Sequence, residues 1–419
     1  MRAALTLARS AVHNLHQLAT RRVRADVCIF GDGVGDLWMQ GRWFNRLVDH
    51  FVAVEPERTL VVADQFEWRW PFPRACGRWL LHAPLQARLS VQGRLARSAR
   101  RSQASELVAH VVQHAHHHLQ WRPGAEREHR LVEMLAAKWA MLPQQLAAYE
   151  RLLRAVRPRV LLVGAACYGP AAALIAAARR LGIVTAEYQH GAISAGHDGY
   201  NFAPAVLADA GYRETLPHHF LAYGRWWAEQ INAPVAKVAV GHPHRSEQLA
   251  RIAAMATKPT ARKDLLILSD GVEFGLYLRL AQHLRGTARE AGLHLRLRPH
   301  PLERARVASL AAGELTGISI DLEPDLYTSL RQALVLVSEV STGLFEAVGL
   351  VPRILLWDTP KARFGYPVHP FQTFTDADSL AALLRGKEAP PPRPLDAESI
   401  WAGGWRDNYR SFLAACGVA

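Results

Sequence analysis

Cysteine is scarce: the chain has four in 419 residues (Cys28, Cys76, Cys167 and Cys416), far apart and with no CxxC pair. That excludes a disulfide framework and a zinc knuckle, and it fits a reducing compartment. Lysine is scarcer still for a basic chain. The six lysines leave arginine to supply nearly all of the 50 basic residues that outweigh 37 acidic ones, a net charge of +13. A field of this sign favours phosphates, nucleic acid or an anionic membrane surface and does not choose among them. No uncharged apolar run reaches the ~18 residues that a spanning helix needs. Residues 1–24 are broken by Arg9, His13 and His16 and end in Arg21, Arg22 and Arg24, so no secretory signal is expected and the expected location is cytoplasmic.

What is present is a foldable chain. Half of the residues are hydrophobic, and the 29 glycines and 24 prolines are ordinary numbers, which excludes disordered and collagen-like classes. The length predicts two or three domains. A basic helix over about 3–22 precedes a buried strand at Ala25–Gly31, the Gly-rich turn GDGVGDL and an apolar helical segment around Trp38–Phe51. Leu60–Asp64 reads as a second strand, Phe66–Arg74 as a loop, and about 83–155 as a helical insertion. Val160–Gly164, Ala171–Leu181 and Ile183–Tyr188 form a βαβ unit, followed by strand–turn pairs at His219–Tyr223 and Val238–Gly241. After a linker at 254–263, strands and helices alternate from Asp264 to Leu356, with no internal repeat. The expected architecture is α/β: a Rossmann-like domain over 1–245, a second over 262–386 and a tail over 387–419. The ligand site is expected in the cleft between them, at the carboxyl ends of the strands.

The constellations that could carry chemistry all lie at such ends. Gln189-His190-Gly191 ends a strand and is followed by a loop containing His197. A neutral imidazole there can take a proton from a hydroxyl, although a plain turn histidine reads equally well. Arg298-Pro299-His300-Pro301 joins a strand to a helix start, where free amides, His300 and Arg298 suit an anion; a solvated Pro turn is the alternative. Ser341-Thr342-Gly343 caps a further helix and could hold phosphate, with Glu346 one turn on to accept from ribose hydroxyls. Two acidic turns, Gly31-Asp32-Gly33 and Ser269-Asp270-Gly271, offer a base or a ligand acceptor, or only Asx-turn geometry. His110, His114 and His118 share a helix face but have no carboxylate at ligand spacing, so no metal is expected there. The run Arg94–Arg101 with Trp68, Trp70 and Trp79 lacks any nucleic-acid motif, so an anionic lipid surface or polyanionic glycan is favoured over nucleic acid.

The succession LLVG, AAALIAAARRLGIVTAEYQHG, HFLAYG, VGHP, RPHP and VSTGLFEAVGLVPRILL, over about 158–360, resembles bacterial GT-B glycosyltransferases of capsule and lipopolysaccharide synthesis. These are the HP-motif sialyl-, polysialyl- and Kdo-transferases, with the related CDP-glycerol glycerophosphotransferases. The resemblance implies that His300-Pro301 and Ser341-Thr342 hold the donor nucleotide's phosphate. It also places Gln189-His190-Gly191 where relatives carry a catalytic HG or acidic-acidic-Gly motif. Asp32 lies in a similar but earlier turn, so either His190 or Asp32 is the expected base. Ser269, Asp270, Gly271, Arg298 and Glu346 are expected on the donor side, and Gln189, Gly191 and His197 on the acceptor side. The implied activity is metal-independent transfer, without cofactor, from a CMP-activated acidic sugar to an envelope polysaccharide or glycolipid, with peripheral contact to anionic membrane. A CDP-polyol phosphotransferase, a sugar-nucleotide epimerase and a non-catalytic glycan- or membrane-binding protein are the alternatives.

Overall fold

The computed structural model describes residues 2–20, 23–75, 77–254, 262–307, 309–323, 325–386 and 396–418. Fifteen strands are described: β1 (Val27–Gly31), β2 (Asp36–Met39), β3 (Arg42–Asn45), β4 (Thr59–Ala63), β5 (Arg78–Leu81), β6 (Val160–Gly164), β7 (Val184–Tyr188), β8 (His219–Ala222), β9 (Ala236–Ala239), β10 (Asp264–Leu268), β11 (His294–Arg298), β12 (Ser319–Ile320), β13 (Ala333–Ser338), β14 (Arg353–Trp357) and β15 (Gln372–Phe374). Apolar runs such as VLLVG and DLLIL become strands buried along their length, as a parallel sheet covered on both faces demands.

Two sheets result. The first is parallel, in the order β5-β4-β1-β6-β7-β8-β9, and the second is parallel, in the order β12-β11-β10-β13-β14-β15. Each therefore reverses direction of growth once, between β1 and β6 and between β10 and β13. At such switch points the loops leaving adjacent strands diverge and open a crevice. Asp32 follows β1, Asp270 follows β10 and Ser341-Thr342 follows β13. The fold is thus the expected pair of Rossmann-like units.

The helices on the first sheet include α1 (Arg2–Ala19), α2 (Asp49–Val54), α3 (Ala83–Ala96), α4 (Arg101–Leu119), α5 (Ala125–Val156) and α6 (Ala172–Arg180). One expectation fails in this region. The segment beginning at Trp38 is not helical: β2 and β3 pair as an antiparallel hairpin through Gln40 (φ 51°) and Gly41 (φ 76°). Two consecutive left-handed residues make the turn whose twist matches a hairpin, and Trp38 facing Trp43 and Leu37 facing Phe44 supply its cross-strand pairs. The helix expected to start at Arg298-Pro299-His300-Pro301 is also reduced, to a short turn at Pro301–Glu303 and one at Arg304–Val307.

The tail does not trail. The helix Trp405–Ala415 returns to the first sheet, where Trp405, Tyr409 and Phe412 pack with Phe51, Tyr188 and Leu221. The units share one apolar core, in which Tyr223 and Trp227 of the first meet Phe345 and Leu268 of the second. Trp401 Nε1 donates to the Phe345 carbonyl at 3.1 Å across it. Most of the linker and tail-junction expectations fall on 255–261 and 387–395, outside the described residues. Cys28 and Cys167 are buried and Cys416 is half-buried, all free; Cys76 is outside the described residues.

Candidate functional site

The carboxyl ends of the two sheets meet directly. The loop after β7 carries Gly191 and Ala192, and the Ala192 N–H donates to Thr342 Oγ1 at 3.2 Å, so the loop that follows Gln189-His190-Gly191 touches the Ser341-Thr342 turn across the cleft. Farther along this loop, the Ser194 hydroxyl donates to the Gly365 carbonyl of the second unit. A Cβ added at Gly196 would meet the Phe364 carbonyl oxygen at 1.7 Å, so only glycine permits that approach.

On the first unit, His190 and Asp32 are neighbours rather than remote rivals. Burial lowers the His190 pKa, Asp32 pulls it back upward and His197 lowers it further, which leaves a neutral ring at pH 7. His190 Nδ1 is buried with no hydrogen-bond partner among the described residues. Asp32 Oδ1 accepts from the Val34 and Gly35 amides at 3.0 and 3.3 Å, an Asx turn that fixes the carboxylate at the switch point. Tyr168, whose hydroxyl lies 2.7 Å from His197 Nε2, has its ring 5.8 Å from that of His190. Gln189 departs from its expected acceptor-side role. Fully buried, it accepts from the Tyr223 N–H at 2.8 Å and donates to the Gly191 carbonyl at 2.8 Å, pinning the turn to β8.

Beneath this turn lies a group that sequence reading passed over. Glu187 is fully buried, accepts from the Tyr200 hydroxyl and from the Cys167 amide at 3.0 Å, and burial raises its carboxyl to about 7 against those hydrogen bonds. Its sequence signal was an acidic residue inside an otherwise apolar strand.

On the second unit most candidates are consumed by their own framework. Arg298 is buried, paired with Asp321 at 3.2 Å and donating to Ser329 Oγ at 3.1 Å. The amides expected to bind an anion are taken as well. The His300 N–H donates to Ser269 Oγ at 2.8 Å, and the Leu302 N–H to His300 Nδ1 at 3.3 Å. The Glu303 N–H donates to the His300 carbonyl at 2.8 Å. The expected anion cradle of Arg298 and free helix amides is therefore not formed. His300 retains Nε2, which has no hydrogen bond among the described residues, and Pro301 is exposed. Ser269 is buried and also donates to Glu303. Burial would raise the Asp270 carboxyl, but its pair with Lys361 and the Val272 and Glu273 amides hold it low. Gly271, at φ +90°, lies so close to His300 that a Cβ would be 2.7 Å from Nδ1. Lys361 also lies 3.6 Å from Glu339, joining the ends of three strands. Ser341 Oγ accepts from the Gly343 amide at 3.1 Å, and Glu346 is buried beside Tyr327 and Arg245, which it perturbs electrostatically.

One cation in the cleft has no salt bridge and no side-chain hydrogen bond among the described residues: Arg46, exposed on the loop after β3. Its charge lowers the pKa of His242, His244 and Tyr223 on the first unit, and of His300 and Asp325 on the second. Five titratable groups, on both units, therefore feel the charge of this one guanidinium. His244 Nδ1 also lies 3.2 Å from His50 Nε2, and burial brings these rings down to about 3 and about 4, so both are neutral. No motif in the sequence marks Arg46, because it sits on the loop after a hairpin strand.

The exposed histidines of α4 stay apart from all this. The His114 and His118 rings are 4.3 Å apart, and no group of three or more potential metal ligands occurs among the described residues.

A two-sheet protein with its polar strand ends converging on one interdomain cleft has the GT-B fold, and comparison with solved structures agrees. The chain superposes on S. aureus MnaA, solved with UDP, with a TM-score of 0.52 at 10% identity, covering 94% of this chain and 98% of that one. It superposes on the Methanocaldococcus jannaschii UDP-GlcNAc 2-epimerase, solved with UDP-GlcNAc and UDP, with a TM-score of 0.50 at 10% identity, covering 93% and 99%. The likeness reaches GT-B and does not single out the HP-motif transferases within it. No protein-family profile and no curated protein sequence matches the chain.

Proposed function

We propose that this chain is a nucleotide-sugar-dependent glycosyltransferase with its donor on the second unit and its acceptor on the first. The observation that carries this reading is the junction at Ala192–Thr342: it sets a neutral, partly unsatisfied His190 and the adjacent Asp32 against the turn expected to hold donor phosphate. In the proposed reaction, His190 removes the proton from an acceptor hydroxyl as that oxygen bonds to the anomeric carbon. Asp32 stabilises the imidazolium that forms, and the sugar's bond to the phosphate oxygen breaks. Arg46, His300 Nε2 and the Ser341–Thr342 turn neutralise charge on the departing phosphate. Arg298 holds the second sheet together rather than touching the donor.

The donor is a CMP-activated acidic sugar, on the resemblance of RPHP and of the Ser341-Thr342 turn to the HP-motif transferases. The acceptor is an envelope polysaccharide or glycolipid, met at the inner face of the cytoplasmic membrane. A thermal-shift panel of CMP, CDP, UDP and GDP tests the reading, since a ligand at about 100 times its dissociation constant adds ~2.7 kcal/mol. Stabilisation by CMP is the expected result. Response to UDP alone points to an epimerase or hexosyltransferase, response to CDP alone to a polyol-phosphate transferase, and silence throughout to a binding protein.

A further inference from the structure

Helix α1 is mounted inside out. Its polar side faces the protein: Thr6 Oγ1 donates to the Trp68 carbonyl at 3.1 Å, Ser10 Oγ to Gln65 Oε1 at 2.9 Å, and Asn14 exchanges hydrogen bonds with Leu81 at 2.7 and 2.9 Å. Thr6 and Ser10 are buried, while Leu5, Val12, Leu15 and Leu18 are 61, 68, 66 and 40% exposed. Leu5, Val12 and Leu15, with Ala8 and Ala19 between and beyond them, recur at spacings of three and four and so form one stripe. An amphipathic helix normally buries that stripe. Here specific hydrogen bonds hold the opposite face against the domain and leave the leucines outward.

The surroundings indicate what covers the stripe. Neither α1 nor the adjacent stretch 83–100 contains an Asp or Glu, and α3, which packs beside α1, exposes Arg88, Val91, Arg94 and Leu95. Arg9 lies over Trp70 at 4.2 Å on the same edge. The bond from Thr6 to Trp68, a residue just beyond the carboxyl end of β4, puts the amino-terminal half of α1 next to the cleft mouth. A second copy of this chain would oppose positive charge to positive charge; an anionic surface would not.

We propose that α1 lies in the plane of an anionic bilayer, its Leu5–Val12–Leu15 stripe in the headgroup–acyl boundary and the α3 arginines on lipid phosphates. This deepens the membrane contact of the proposed function by naming the docking element. The docked protein would turn its cleft mouth toward the surface from which a glycolipid acceptor is drawn.

Co-sedimentation with phosphatidylcholine vesicles, with and without phosphatidylglycerol, tests the proposal. The chain should bind the anionic vesicles, lose binding in high salt, and lose at least about tenfold on V12E/L15E, which buries carboxylates where apolar groups should insert. R88E/R94E should lose binding to anionic vesicles alone. Both pairs are exposed and their variants should fold, which circular dichroism checks. Wild-type affinity of V12E/L15E, or equal recovery on neutral and anionic vesicles, overturns the proposal. So does a wild-type dimer in sedimentation equilibrium that V12E/L15E dissociates, since a second copy then covers the stripe. Nucleotide-induced stabilisation of V12E/L15E should match wild type, so failure of docking and failure of the enzymatic reading are separately visible.

Discussion

The two strand-end rims of the cleft are built alike and finished differently. On the second sheet Ser269, Asp270, Arg298, Glu303, Asp321, Glu339 and Lys361 are tied to one another by hydrogen bonds and ion pairs, although Glu303 Oε1 and Asp321 Oδ2 are buried without a partner among the described residues. On the first sheet His190 keeps an unpartnered ring nitrogen, and Arg46 has no salt bridge or side-chain hydrogen bond among the described residues. Buried polar groups are normally paired; what sets the first rim apart is that its open groups are a neutral base and an unpaired cation, which can receive a proton and a phosphate. The first rim is thus assigned to proton transfer, and the second, apart from His300 Nε2 and the Ser341–Thr342 turn, to holding the shape of the site.

The sharpest way to break that division is at His190. His190→Asn should reduce turnover by ~10²–10⁴ while donor affinity stays nearly intact, because loss of a general base affects the transition state more than binding. Asp32→Asn should cost less, since it removes only the charge that stabilises the imidazolium. Steady-state kinetics with calorimetric donor titration compares them. A dead Asp32→Asn variant with normal affinity beside a fully active His190→Asn variant would exchange their roles.

The second rim should fail by unfolding instead. Asp321 is fully buried, forms ion pairs with Arg296 and Arg298 and accepts from the Glu323 amide, all through one oxygen. Asp321→Ala takes the carboxylate from the buried Arg298 guanidinium, while Arg296 keeps Asp264 at 2.8 Å, and should cost ~3–5 kcal/mol in denaturant unfolding, the usual result of breaking a buried pair from one side. If stability holds and only nucleotide binding falls, Arg298 is a ligand residue and the division between the rims is wrong.

Between these extremes lies Glu187, structural in position but titratable. Its folded pKa of about 7 is above the ordinary 4.5, so the folded state holds this proton more tightly than the unfolded chain does. Stability from this group is therefore fully present below pH ~4.5, and is lost as pH rises through about 7, on the order of 3 kcal/mol in all. Glu187→Gln should be more stable than wild type at pH 8 and similar at pH 5, measured by urea melts at both. A parallel pH dependence in the two proteins would remove Glu187 as the source.

Much of this was legible before any coordinates. The strands announced themselves because parallel sheets bury both faces, which turns LLVG and LLIL into unbroken apolar runs. Asp32, His190, Asp270, His300 and Ser341 were legible as polar turns after those runs, and both switch points carry them. Illegible was anything settled by a partner distant in sequence. RPHP looks like an anion cradle until Asp321 takes the arginine and Ser269 takes an amide. Nothing near Lys361 foretold its pairing with Asp270, 91 positions away. The Gln40-Gly41 pair between DLWM and RWFN was readable as a hairpin turn, but the Gly-rich turn before it suggested the helix of a Rossmann unit.

Arg46 sharpens the comparison at its finest, because it belongs to the first unit by sequence and reaches the second by charge. Being exposed and free of protein hydrogen bonds from its guanidinium, it contributes little to folding, so Arg46→Ala should leave the melting temperature of the free protein unchanged. Nucleotide affinity should fall by ~1–3 kcal/mol, as for loss of a charge-assisted hydrogen bond to phosphate. Arg46→Lys should recover only part of that, since an ammonium keeps the charge but not the planar fork. The same substitution removes a cation that now lowers the His300 pKa, so that pKa should move upward in Arg46→Ala, as read from the ring resonances by NMR titration. If nucleotide affinity is unchanged while the His300 shift appears, Arg46 senses the site without holding its ligand, and donor phosphate is left to the second rim alone.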